Sequence, residues 1–99
     1  ELDAEYALFR AEGAETVGEG AKLVDQARAI FETIGEPAGA ILCDYTMGDL
    51  WLRAGEPAEA LAAYQAAAEA VSAYDPSRGT HELARNTAWV IVAMAAAPP

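Results

Sequence analysis

Apolar positions recur at helical spacing along the whole chain, with no sustained alternation and few β-branched clusters outside residues 90–92. Leu2, Tyr6 and Phe9 predict one side of a short first helix that ends at Gly13. Thr16 and Glu19 stand at capping-box spacing, which satisfies free amides where a helix begins. Gly18 and Gly20 weaken that opening turn, so the second helix is secure only from about Ala21. Its stripe is Leu23, Val24, Ala27, Ile30, Phe31 and Ile34, and it stops at Gly35.

Gly35-Glu36-Pro37 recurs as Gly55-Glu56-Pro57. Glycine ends a helix in the left-handed conformation and proline is tolerated in a first turn, so each triplet predicts a stop and a restart. A third helix follows over about 37–54 and a fourth over about 57–74. Residues 75–79 read as a turn, and Thr80 as the cap of a fifth helix that runs to about Ala97. Links this short imply antiparallel neighbours. Sliding the chain by 40 residues sets Gly20 over Ala60, Val24 over Tyr64, Ala27 over Ala67, Gly48 over Ala88 and Trp51 over Ile91. Small falls on small and large on large. Gly48, Ala60 and Ala67 then let two helix backbones nest, with Trp51 and Tyr64 filling the gaps beside them.

Composition narrows the function. The chain is 54% hydrophobic, too apolar for a disordered tail, and alanine supplies about a quarter of it. Ninety-nine residues make one domain with a modest core. A formal charge of −10 argues against nucleic acid and anionic membrane, and favours a basic or neutral protein partner. The apolar run at 88–97 is too short to span a bilayer. Cys43 is the only cysteine, which excludes an internal disulfide and suits a reducing, cytoplasmic setting. An opening Glu1 suggests a domain excised from a larger protein.

Residues 41–76 resemble a tetratricopeptide repeat, a helix-turn-helix unit with the pattern W-x2-L-G-x2-Y, then A-x3-F, then P. Met47, Gly48, Trp51, Gly55, Ala60, Tyr64 and Ala67 match at the right spacing. Asp44 stands where the pattern has Trp, and the proline comes late, at Pro76. The period near 40 looks like the longer repeats of bacterial regulatory proteins. The resemblance implies one all-α domain over 1–99, an α-solenoid fragment of stacked antiparallel hairpins. Its repeats would span about 2–34 and 37–76, with a partial copy over 80–97.

In that family the first helix of each repeat lines a face that holds a peptide or protein segment. Carried across, Leu42, Tyr45, Asp49, Leu52 and Arg53 of the central repeat would bind, joined by Glu82, Arg85, Trp89 and Val92 and, in the first copy, Arg10. The family's carboxylate clamp wants Lys and Asn where Tyr45 and Asp49 stand, which argues against clamp-type chaperone binding. Tyr45→Ala or Arg53→Ala is expected to weaken a partner without loss of thermal stability. Trp51 and Tyr64 are expected in the core. Trp89, Val90 and Met94 leave the fifth helix apolar nearly all round, which suggests self-association or domain docking through them.

Catalytic motifs are missing from the sequence. His81 is the only histidine and reads as solvated; Cys43, with no basic neighbour, reads as a buried structural thiol. Ser72 and Ser77 lie in no nucleophile motif, and the glycines at 13, 18 and 20 lack the Gly-Lys-Ser/Thr of a phosphate loop. A carboxylate-held metal on a bundle would need Glu-x-x-His, which does not occur. The expectation is a non-catalytic interaction module of a larger regulatory or scaffold protein, needing no cofactor or metal. The alternative is a structural dimerisation bundle that associates through the fifth helix.

Overall fold

A computed structural model describes residues 3–36, 38–73 and 75–96, with side chains described as far as residue 92. The chain is all-α: α1 (Ala4–Glu12), α2 (Val17–Ile34), α3 (Ala38–Arg53), α4 (Pro57–Ser72) and α5 (Pro76–Ala96), with no strand among the described residues. Consecutive helices pack on each other, and α1 also lies against α3. The result is a slab of 43 × 34 × 14 Å.

Both glycine stops form as expected. Gly35 and Gly55 adopt φ of 68° and 79°, and the next amide bonds back to a carbonyl five residues earlier: Glu36 N to Phe31 O and Glu56 N to Trp51 O, each 2.9 Å. That closure satisfies carbonyls that the helix end would leave orphaned. Thr16 caps α2 through its Oγ1, which accepts from Glu19 N at 3.1 Å.

Helix nesting follows the small residues. Gly48 is buried under the ring of Tyr64; an added Cβ there would sit 2.5 Å from Cε1. Ala60 and Ala67 are fully buried beside it, and Trp51 is half-buried against the same cluster. Gly20 meets Leu50 in the same way, at 2.6 Å from an added Cβ. Since about 25 cal/mol per Å² of apolar area rewards only surfaces that touch, an alanine-rich chain gains its core by such close approach.

Three expectations are corrected. The buried face of α1 is Ala4, Ala7, Leu8 and Ala11, while Tyr6 and Phe9 point outward, Phe9 at 73% exposure. The alanine face wins because it lets α1 close on α2; Leu2 lies outside the described residues. The second helix opens at Val17, directly after the expected Thr16 cap, and the turn that carries Gly18 and Gly20 is helical. Ile34 of the proposed stripe is exposed at the end of that helix. Finally, residues 76–79 are helix, not turn. Asp75 Oδ1 accepts from Arg78 N at 3.2 Å and so holds the first turn of α5, while Thr80, no cap, donates to Pro76 O.

That early start brings α5 into the 40-residue correspondence. Gly39 of α3 is pressed against Phe31, and Gly79 of α5 against Ser72 and Ala68. Thr46 and Asn86 are the buried polar residues of their helices. Leu50 packs towards α2 at Gly20, and Val90 packs with Ala60 and Tyr64 of α4. With a close-packed glycine near its start and Leu50 matched by Val90, α5 sits on α4 much as α3 sits on α2.

Candidate functional site

Tyr45 of α3 reaches α5 by donating its hydroxyl to Glu82 Oε2, and Arg78 Nε donates to the other oxygen, Oε1, at 2.9 Å. Helix geometry sets this up: Arg78 and Glu82 are one turn apart on α5, and the cap at Asp75 fixes their phase. Between α3 and α5 lies an open groove of about 470 Å³. Ile41, Leu42, Tyr45 and Val71 give it apolar walls; Glu36, Asp75, Arg78 and Glu82 rim it. Leu42 is 47% exposed, unusual for a leucine with so much apolar surface beside it.

The charge state of the junction follows from its bonds. Burial, then the bond to Glu82, pushes the Tyr45 phenol up to about 12. The same bond, with those from Arg78, holds the Glu82 carboxyl below its ordinary value. Tyr64 is pushed higher by burial and by its bond to Asp49 Oδ1 at 2.5 Å. For Tyr45 the folded value exceeds the unfolded one, so its contribution is complete below pH 10 and is lost as pH rises towards 12. For Glu82 the contribution is present above its unfolded value and is lost as pH falls through the folded one. Tyr45→Phe should therefore flatten the loss of stability between pH 10 and 12, read from urea melts across pH; an unchanged slope would refute the coupling.

Of the residues expected to bind, Tyr45 lines the groove, joined by Leu42 and Glu82. Asp49, Leu52, Arg53, Arg85 and Trp89 lie farther along α3 and α5. Asp49 accepts from Tyr64, and Leu52 packs on the Ala60–Tyr64–Val90 cluster. Arg53 is exposed, yet its Nη1 donates to Glu12 O and ties α3 to α1. Arg85 is exposed and close enough to Tyr45 for its charge to lower the phenol's value slightly. Trp89 is 62% exposed, with Ile91 and Val92 open beside it. Arg10 is exposed but corresponds by the 40-residue shift to buried Leu50; Phe9, one position earlier, is the match for Asp49 and Trp89.

Two site expectations change. Tyr45 is half-buried, bonded to Glu82 and 6.2 Å from the Tyr64 ring, so Tyr45→Ala removes structure as well as surface. Val90 is buried against Tyr64 and cannot share an outer surface with Trp89; Met94 lies outside the described side chains. Sequence reasoning missed Ile41, Val71, Asp75 and Arg78, because the groove depends on α5 starting four residues before Thr80. Asp44, the departure from the repeat pattern, pairs with Arg28 at 3.1 Å and joins α3 to α2. Cys43 is fully buried, its thiol pushed up by that burial.

Among the described residues no group of three or more His, Cys, Asp or Glu converges as a metal site, and no helix is long and apolar enough to cross a membrane. Compared with protein-family models, with curated proteins and with solved structures, the chain matches none.

Proposed function

We propose that this chain is a non-catalytic docking module of tetratricopeptide type, whose α1, α3 and α5 side holds a protein segment. The observation that supports it best is the α3–α5 groove. Its apolar walls are open to solvent, whereas the apolar residues of the α2–α3 and α3–α4 seams gather in buried clusters. Exposed Phe9 and Trp89, at corresponding positions of α1 and α5, extend apolar surface beyond it. No bond chemistry is involved: binding would bury the walls and leave the carboxylates to select the partner.

Leu42→Glu tests this, because it charges the groove at an exposed position and should leave thermal stability unchanged. A partner captured by wild-type domain and by Tyr6→Glu, but lost from Leu42→Glu, supports docking here. Equal capture by all three ends the reading. A second reading, association of two copies through α5, is favoured by the exposure of Trp89, Ile91 and Val92 together. It expects a dimer in sedimentation equilibrium that Trp89→Glu converts to monomer, with the groove unaffected.

A further inference from the structure

We propose that the α3–α5 groove takes a lysine- or arginine-bearing segment with apolar residues beside its cations; the inference rests on the docking reading and adds the chemistry of the partner. Apolar walls alone would accept any leucine-rich segment, so the rim decides. It carries Glu36, Asp75 and Glu82 against one lining cation, Arg78, while exposed Arg85 lies outside the groove and acts on Glu82 and Tyr45 rather than on Glu36 or Asp75. Glu82 already holds Arg78 through Nε, which leaves that guanidinium matched within the protein. Among the described residues no cation pairs with Glu36 or Asp75. Asp75 Oδ1 serves the amide of Arg78, whose guanidinium offsets part of its charge without an ion pair, while Glu36 has no cation paired with it among the described residues.

Two opposing effects are smaller. The N-terminal ends of α3 and α5 open on the groove and contribute about half a positive charge each, too little to reverse the sign of the rim. Water screens exposed carboxylates, but the chain's net −10 points the same way and would steer cations in and acidic segments off. Leu42 and Ile41 also suit the aliphatic stems of Lys and Arg, which bury methylenes while their heads reach a rim carboxylate. Arg gains further if its plane lies on the Tyr45 ring.

The test uses the full chain, ¹⁵N-labelled, titrated with the peptide acetyl-Gly-Leu-Arg-Ala-Leu-Arg-Gly-amide and its versions carrying Gln or Glu for Arg. The Arg peptide should shift the amides of Ile41, Leu42, Asp75 and Arg78, and should bind more weakly as salt rises. Glu36→Gln should weaken it about two- to fivefold, the range of one exposed ion pair, while Glu59→Gln at the far end of α4 leaves it unchanged. Groove shifts as large with the Gln or Glu peptide overturn the charge assignment and leave docking intact. Shifts scattered over the acidic surface, or none, also overturn it; the Leu42→Glu capture then decides docking independently.

Discussion

Tyr64→Ala is expected to cost about 3–5 kcal/mol of unfolding free energy, the range for a buried aromatic cut to alanine. That would remove a large share of the roughly 5–15 kcal/mol that holds a domain of this size. Tyr64 is 3% exposed, and its ring lies on Gly48, packs with Ala60 and Val90, and stands beside Tyr45. It therefore touches α3 and α5 from α4, and no alanine-sized neighbour can move in to fill the space. Tyr64→Phe separates packing from the hydroxyl. It keeps the ring and loses the bond to Asp49, an exposed carboxylate that water will re-solvate, so about 0.5–1.5 kcal/mol is expected. Urea melts followed by circular dichroism measure both, with an unchanged slope as the check on two-state behaviour. A Tyr64→Ala chain within about 1 kcal/mol of wild type would mean that the α3–α4–α5 junction is not packed as described.

The sequence carried the parts of this fold that depend on local chemistry. The stops at Gly35 and Gly55 were legible because only a residue without Cβ enters the left-handed region cheaply. The Gly48–Ala60–Ala67 seam was legible because small residues at helical spacing have one common use. Faces chosen by competition were not. In α1, Phe9 and Tyr6 have more area to bury than Ala7 and Ala11, yet the alanine face is inside, because contact with α2 depends on the distance between backbones. The start of α5 was hidden by Pro76 and Gly79, which resemble turn residues. Proline suits a first turn, and Gly79 is there because Ser72 and the carbonyl of Ala68 leave no room for a Cβ. The 40-residue shift held that information, since it sets Gly79 under Gly39.

The groove was half legible for the same reason. Tyr45 and Leu42 followed from the resemblance to a repeat, whereas Asp75 and Arg78 enter only once α5 begins at Pro76. Asp49 and Arg53 show how a charged residue expected at a partner surface can instead be occupied within the domain, by Tyr64 and by the carbonyl of Glu12. In the proposed docking, recognition would fall to what the fold leaves unoccupied: Leu42, Glu36 and the exposed aromatics.

Leu50→Ala should cost about 2–5 kcal/mol, and its partner across the seam makes the result diagnostic. Leu50 is 3% exposed and its methyls lie over Gly20, close enough that a Cβ on Gly20 would meet them at 2.6 and 2.9 Å. Gly20→Ala alone has two opposed effects. Alanine favours the helix by about 1 kcal/mol over glycine, while overpacking a buried contact costs about 1–3. The net should be destabilising, because Leu50 is enclosed and its methyls have little space into which to swing. In the Leu50→Ala background the same change should turn stabilising. The new methyl then enters the cavity, and the helix-propensity gain stands unopposed. The double-mutant cycle should thus show a coupling of about 1–3 kcal/mol with the second mutation reversing its sign. Additive effects at positions 20 and 50 would show that α2 and α3 do not approach through glycine, and the correspondence that places α5 on α4 would lose its structural basis.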